Sequence, residues 1–266
     1  ILRLETAGIP FRKIDRYLMD RPPEAHIELG YDRLYDLGLV GPEGHVTLTG
    51  RRVAQLPIEA RMGKLIVRAS EYQREHGAQI LDEAIRIAAV VEAEGILSGD
   101  SKHWQRLAPG QRNSDLIKQA VVYHRAIALP PEQLDVFGID EVNLLKARSI
   151  ELMIRRRLGL PETAPPRAPV KQDETAQEKA ARGATEEHNF RWLSRAIIEA
   201  HTDSVFRFVR RNEVGDYLYK PLYGHQIAVL QKESIVGGAK LVVGTRFNIG
   251  YINDSGDQRI QPLLLN

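Results

Sequence analysis

The hydrophobic pattern of this chain changes period once, across a proline-rich stretch. From residue 58 to residue 160, apolar residues recur every three or four positions; from 188 to 266 they alternate or come in short runs between glycines. A 3.6-residue period buries one face of a helix, and a period of two buries one face of a strand. The chain is therefore read as α+β and multidomain, with a helical part, a strand-rich part and a boundary between them. Pro161, Pro165, Pro166 and Pro169 open that boundary, and no aromatic residue occurs in 161–187. Proline removes backbone donors and favours extended conformations, so 161–173 reads as linker. Glu174 to Arg182 has the composition of a short helix.

Ahead of the helical part, residues 1–57 read as a small helix-rich unit with a two-stranded wing. Pro22-Pro23-Glu24 is a helix start, and Ile27, Gly30, Tyr31, Leu34 and Leu37 follow on one face. Gly38 suits the left-handed position past the helix end. Leu39-Val40 and Val46-Thr47-Leu48 are strand candidates flanking the turn Gly41–Gly44, and Thr49 is placed to cap a short helix ended by Pro57. In 58–160, Met62, Leu65, Ile66, Ala69 and Tyr72 form one stripe. Ile80, Leu81, Ala84, Ile85, Ala88 and Val91 form a second that is apolar more than halfway round, as in the middle of a bundle. Asn113 or Ser114 caps a third helix that Pro130-Pro131 stop, and a fourth runs from Asp140 to Leu158. Beyond the boundary, a helix from Phe190 to His201 precedes five strand-like runs: 205–209, 217–219, 226–229, 240–243 and 247–249. Five short strands with glycine-rich turns suggest a small barrel of OB-like size.

Composition narrows the function classes. With 43% hydrophobic and 27% charged residues, a collagen-like, coiled-coil or wholly disordered chain is excluded. The 266 residues suit two or three domains. No run of about 18 apolar residues occurs, so no membrane partner is expected. Cysteine is absent, which excludes disulfides, thiolate catalysis and Cys-ligated zinc and agrees with a cytoplasmic protein. The chain opens Ile1-Leu2-Arg3-Leu4-Glu5, neither a start methionine nor a signal peptide, and reads as part of a longer protein. A net charge of +2 carries little information, but Ser101 to Leu129 holds Lys102, Arg106, Arg112, Lys118 and Arg125 against the single acid Asp115.

Catalytic signatures are missing: no G-x-x-x-x-G-K-[ST], H-E-x-x-H, G-x-S-x-G or G-x-G-x-x-G occurs. Gly63-Lys64-Leu65 lacks the hydroxyl and the glycine-rich approach of a phosphate loop. Asp82-Glu83-Ala84-Ile85 mimics a helicase Walker-B motif, but these acids fall in the first turn of an amphipathic helix, where they partner the helix dipole. The eight histidines are scattered, with no pair at metal-ligand spacing.

Binding chemistry has two candidate places. Arg112, Asn113, Ser114 and Lys118 put bases beside a helix N-terminus, which reads as a phosphate site or as an ordinary capped, solvated helix start. In the strand region Lys220, Tyr223, Lys240 and Arg246, with Tyr217, Tyr219 and His225, mix rings and bases as single-strand platforms do. Tyr217 and Tyr219 alternate on one strand and equally suit a core face. Arg61, Trp104 and His103 read as structural residues, and Arg155-Arg156-Arg157 as cations at a helix C-terminus.

Over residues 1–91 the order of features resembles the region that follows the RecA-like motor domains in DEAH-box helicases of bacterial type: winged helix, then ratchet. Leu2-Arg3-Leu4-Glu5-Thr6-Ala7-Gly8-Ile9 is similar to the family's lead-in, and Asp20-Arg21-Pro22-Pro23-Glu24-Ala25 to its D-P-P-E helix start. Leu34–Val40 followed by Val46-Thr47-Leu48-Thr49-Gly50-Arg51 resembles its L-x-x-L-G-A-L … L-T-x-x-G wing. Leu56 to Leu65 resembles its P-L-x-P-R-L-A-K-x-L signature. Farther on, Ser114-Asp115-Leu116 through Tyr123 and Lys146-Ala147-Arg148 are similar to ratchet helices. The last 79 residues fit the family's OB-fold in place and size. The family's H-P-S triplet is missing, with Lys232-Glu233-Ser234 near its place, and the insert 161–187 is not typical.

The resemblance implies a winged-helix domain at 1–57, a helical ratchet domain at 58–160, a linker at 161–187 and an OB-like β-barrel at 188–266. It implies an accessory module of an ATP-dependent RNA helicase, walling one side of a channel for single-stranded RNA or DNA. ATP and Mg²⁺ would be bound by the motor domains, which would pack against this region; this chain itself would hold no cofactor and perform no catalysis. Because the family's winged helix also docks proteins, a partner-docking or regulatory module is the alternative.

Two outcomes follow from the sequence. The purified chain is expected to release no phosphate from ATP above a buffer control; hydrolysis surviving repurification would overturn the domain reading. Limited proteolysis is expected to cut first within 161–173, whereas first cleavage inside 80–95 would show the central helix to be misread.

Overall fold

A computed structural model describes the chain apart from residues 15–16, 21, 99–102, 109–113, 164–174, 223–226, 231–233, 235, 253–257 and 266; the strands from 245 onward are described by their backbone. The architecture is α+β. Two compact units are each built from separated stretches: residues 1–92 with 146–200, and residues 93–145 with 201–266.

The first unit begins with α1 (Leu2–Thr6), α2 (Phe11–Ile14) and α3 (Glu24–Asp36). Pro23 precedes α3, and Gly38 takes φ 66° just past its end, as a C′ glycine does. A single bridge, Val40 to Val46, is all the pairing in the wing. The cap of α4 (Leu48–Ala54) is Thr47 rather than Thr49: its Oγ1 accepts from Gly50 N–H at 3.0 Å and donates to the Gly38 carbonyl at 2.9 Å. One threonine thus closes both helix and wing, and Leu48 belongs to the helix. Leu2, Leu34, Leu37, Leu39, Val53 and Val67 form the core beneath.

The expected stripe on α5 (Ala60–His76) is buried; on α6 (Leu81–Glu92) Ala84, Ile85 and Ala88 are buried, as is Ile80 just ahead of it, while Leu81 and Val91 are half-buried and Ile87, Ala89 and Val90 complete the buried side. Asp82 and Glu83 do lie in the first turn of α6. Asp82 has a more specific partner than the dipole: it accepts from Arg155 of α9 (Glu141–Arg157) at 2.6 Å. Arg155 is 1% exposed and also donates to the equally buried Glu151 at 2.8 Å, which Arg148 holds from its other oxygen at 2.9 Å. Removing one partner from a buried set of this kind costs about 3–5 kcal/mol, because the charge left behind stays out of water.

The sequence suggests a short helix, a gap and a second helix before the strands; instead α10 runs unbroken from Ala176 to Ala200. Nothing between Arg182 and Phe190 breaks a helix, since Gly183 costs only about 1 kcal/mol relative to alanine there. The second half of α10 packs on α5 through Trp192, which stacks on His76 with centroids 3.8 Å apart and planes 9° from parallel. Glu199 accepts from Arg68 and from the Tyr72 hydroxyl, each at 2.6 Å.

The second unit holds a short 3₁₀ turn (His103–Leu107), α7 (Asp115–Ala126) and α8 (Pro131–Phe137). Pro131 opens α8, a helix the sequence reading leaves out, at a position where its missing N–H costs nothing. The strands are β1 (Val205–Arg211), β2 (Tyr217–Pro221), β3 (Ala228–Leu230), β4 (Leu241–Val243), β5 (Thr245–Ile252) and β6 (Gln258–Leu265). Their order is β4-β1-β2-β3-β6-β5, antiparallel except for the parallel pair β3–β6. β6 has no counterpart among the five expected strands. Where a small barrel is expected, the pairing among the described residues is that of an open sheet edged by β4 and β5. β3 and β4 are three residues each and offer few ladder bonds to carry the sheet round. Phe206, Tyr219, Ala228, Leu230, Val236 and Val242 form its core. Among the described residues no helix is long and apolar enough to cross a membrane.

Two glycines give opposite expectations. A Cβ on Gly50 would lie 2.1 Å from the Leu39 carbonyl oxygen, whereas a Cβ on Gly183 would meet nothing within 4 Å. Gly50→Ala should therefore destabilise by about 1–3 kcal/mol. Gly183→Ala should stabilise by up to about 1 kcal/mol. Urea titrations of both variants against the parent chain check the signs.

Candidate nucleic-acid interface

All eight residues singled out for nucleic-acid contact fall in the second unit, and the structure places five of them. Ser114 is the N-cap of α7, extended at φ −161°, ψ 128°, and its Oγ accepts from Ile117 N–H at 3.3 Å. Arg112, Asn113 and Tyr223 lie outside the described residues. Lys118 is 6% exposed, with its ammonium 4.6 Å from the centre of the Trp104 ring. Burial pushes its pKa below the ordinary lysine value, and the Asp115 carboxylate pulls it part of the way back. Its charge is therefore turned toward the indole, and sequence reasoning had placed it toward solvent.

The first turn of α7 has a partner in the strand region. Ser234 Oγ bonds the Asp115 carboxylate and accepts from Val236 N–H at 3.3 Å. The loop ahead of β4 is thereby fastened to the start of α7, and Lys240 stands exposed at the end of that loop. Its carbonyl accepts from Phe208 N–H at 3.0 Å. Arg246 lies on β5 opposite Leu264.

Lys220 belongs to a row that the sequence reading did not assemble. In the ladder Arg207 faces Lys220 on one side and Leu241 on the other, and residues directly opposite share a face. The register shifts between Phe208 and Arg210, so Val209 is an extra residue and Arg210 comes opposite Leu218. Without that bulge Arg210 would face the core; with it, Arg210 stands on the side of Arg207 and Lys220. Arg207 and Arg210 are exposed, Lys220 is half-buried, and none of the three has an acidic partner among the described residues. Leu241, 59% exposed, lies beside them. The next residue, Arg211, returns to the opposite side, with its guanidinium 5.1 Å from the Tyr217 ring centre and Nε donating to the Gly215 carbonyl at 2.6 Å.

The rings are on that opposite side. Tyr219 is fully buried with its hydroxyl donating to the Ala239 carbonyl at 3.0 Å, and Phe208 packs on Tyr219 and Tyr217. Of the two readings of Tyr217 and Tyr219, the core face is the one observed. The basic face thus offers cations and aliphatic surface. That chemistry suits phosphate oxygens and carries no base readout. The alternation in Phe206-Arg207-Phe208 was the signal for Arg207; Arg210 was hidden by the bulge. Among the described residues no group of three His, Cys, Asp or Glu side chains is placed to hold a metal.

No family model matches the chain. A stretch of 114 residues, 42% of the chain, is 27% identical to a protein of Schizosaccharomyces pombe whose name reads "Putative ATP-dependent RNA helicase ucp12". The stretch amounts to 8% of that protein's length, so this chain spans a small part of the relative it matches. At that level the similarity supports a relationship to helicases.

Proposed function

We propose that this chain is an accessory nucleic-acid-binding module of an ATP-dependent helicase of the DEAH-box type. In this reading residues 1–57 are the winged helix, 58–160 the ratchet and 188–266 an OB-like domain, and the connecting stretch 161–187 runs into α10. The module walls one side of a single-strand channel, and RecA-like motor domains supply ATP binding and hydrolysis. The observation that carries the reading is the row Arg207, Lys220 and Arg210, three cations on one sheet face without acidic partners among the described residues. The helicase relative agrees with it, as does the fastening of the α7 N-terminus to the loop before β4 through Asp115 and Ser234. Contacts of this kind track a backbone, so binding is weak, indifferent to sequence and sensitive to salt.

Single-strand binding releases about 0.7 counterion per neutralised phosphate. Three cations give a slope of log affinity against log salt of about −2, and Lys240 or Arg112 would take it toward about −3. Fluorescence anisotropy with a labelled single-stranded RNA at several salt concentrations measures it. Replacing Arg207, Arg210 and Lys220 by alanine should weaken binding on every sequence and flatten the slope by about 2. Substitutions at the exposed Arg207 and Arg210 shift stability by about 0.5 kcal/mol or less, and a melting curve checks that the change at the half-buried Lys220 leaves the fold in place. An unchanged slope in the folded triple variant would remove the sheet face from the interface. No binding by the parent chain at low salt would favour the partner-docking reading.

A further inference from the structure

The first unit contains a cleft of about 790 Å³ where the end of α4 meets α9. Its lining is divided by chemistry. Ala54, Leu56, Pro57, Leu152 and Met153 are apolar and aliphatic, and Arg3, Arg156 and Arg157 are the charged residues. No aspartate or glutamate lines it. Arg3 donates to the Leu56 carbonyl at 3.0 Å and Arg157 to the Gln55 carbonyl at 2.9 Å. These two bonds moor the guanidinium groups while using one donor of the five each carries. Neither arginine has an acidic partner among the described residues. Arg156 alone is paired, with Glu162 at 2.8 Å, and that pair is exposed on both sides.

We infer that this cleft is a docking site for an acidic, amphipathic segment of a partner protein. Charge complementarity selects the occupant: moored guanidinium groups offer parallel N–H pairs that match carboxylates. The floor selects protein over nucleic acid. A single strand bound through its bases uses aromatic rings, and no ring lines the cleft. Aliphatic side chains at helical spacing fill such a floor, as an amphipathic helix does in a groove. Met153, 39% exposed, is an unbranched side chain able to adjust to the residue set against it. The surface belongs to the first unit and owes nothing to the basic sheet face, so either assignment can fail without the other.

The test is selection from a displayed library of random 16-residue peptides on the intact chain. The control is the variant Met153→Asp/Arg157→Glu, whose changed residues are both exposed and whose folding is checked by its melting curve. The expected result is enrichment of sequences with Glu or Asp flanking apolar residues at three- and four-residue spacing. Synthetic copies should bind the parent chain at least tenfold more tightly than the variant, and copies with lysine replacing each acid should not bind. No enrichment over the variant, or enrichment of basic or purely polar sequences, overturns the proposal. So does displacement of the selected peptides by oligouridylate with a dependence on Arg157, which would make the cleft a phosphate site.

Discussion

Each compact unit is assembled from stretches far apart in sequence, and a few polar contacts at low exposure bring those stretches together. Arg155 is the clearest. Its guanidinium reaches Asp82, 73 residues away, while holding Glu151 on its own helix. Because both Arg155 and Glu151 are withdrawn from water, no shifted packing of α9 leaves them satisfied. Hydrophobic contact between α6 and α9 would tolerate sliding; a charge that must find an acid does not. Arg68, Tyr72 and Glu199 do the same for α10, and Ser234 with Asp115 for the loop before β4.

The helices were legible where the apolar period was strong. Met62, Leu65, Ile66, Ala69 and Tyr72 are buried as their spacing requires, as are Ile80, Ala84, Ile85 and Ala88, and Ser114 and Gly38 mark helix ends as their chemistry suggests. The misreadings have local causes. Thr47 and Thr49 are both able to cap, and the choice rests on the wing, since only Thr47 also reaches the Gly38 carbonyl. Pro131 reads as a stop from one side and as a start from the other. α10 lacked an apolar stripe in its first half, so its continuity was carried by propensity alone. β6 pairs in parallel with β3, a long-range choice that no local pattern encodes.

The candidate site was less legible. Lys220 and Lys240 could be named as bases, but their neighbours depend on register, and register is a property of two strands. Lys118 looked like a solvent-facing base because it follows a helix start; Trp104, eleven residues upstream of the cap's first helical residue, folds back over it and takes its ammonium. The cleft at α4 and α9 had no signature at all. Arg3, Arg156 and Arg157 are more than 150 residues apart at their extremes, and only the fold gathers them.

The bulge at Val209 lets β1 carry one residue more than its partner strand without reversing a face. Val209 contributes little by its side chain, and many residues would serve there. Losing the position altogether would leave the charge layout standing as well. A three-base deletion would set Arg210 directly after Phe208, still opposite Leu218 on the solvent side, and keep Arg211 opposite Tyr217. A loss at Arg207 is different in kind, because Phe208 would then take its place on the solvent side. Lineages should therefore drift in both identity and length at position 209 while keeping the spacing between Phe206 and Phe208 fixed.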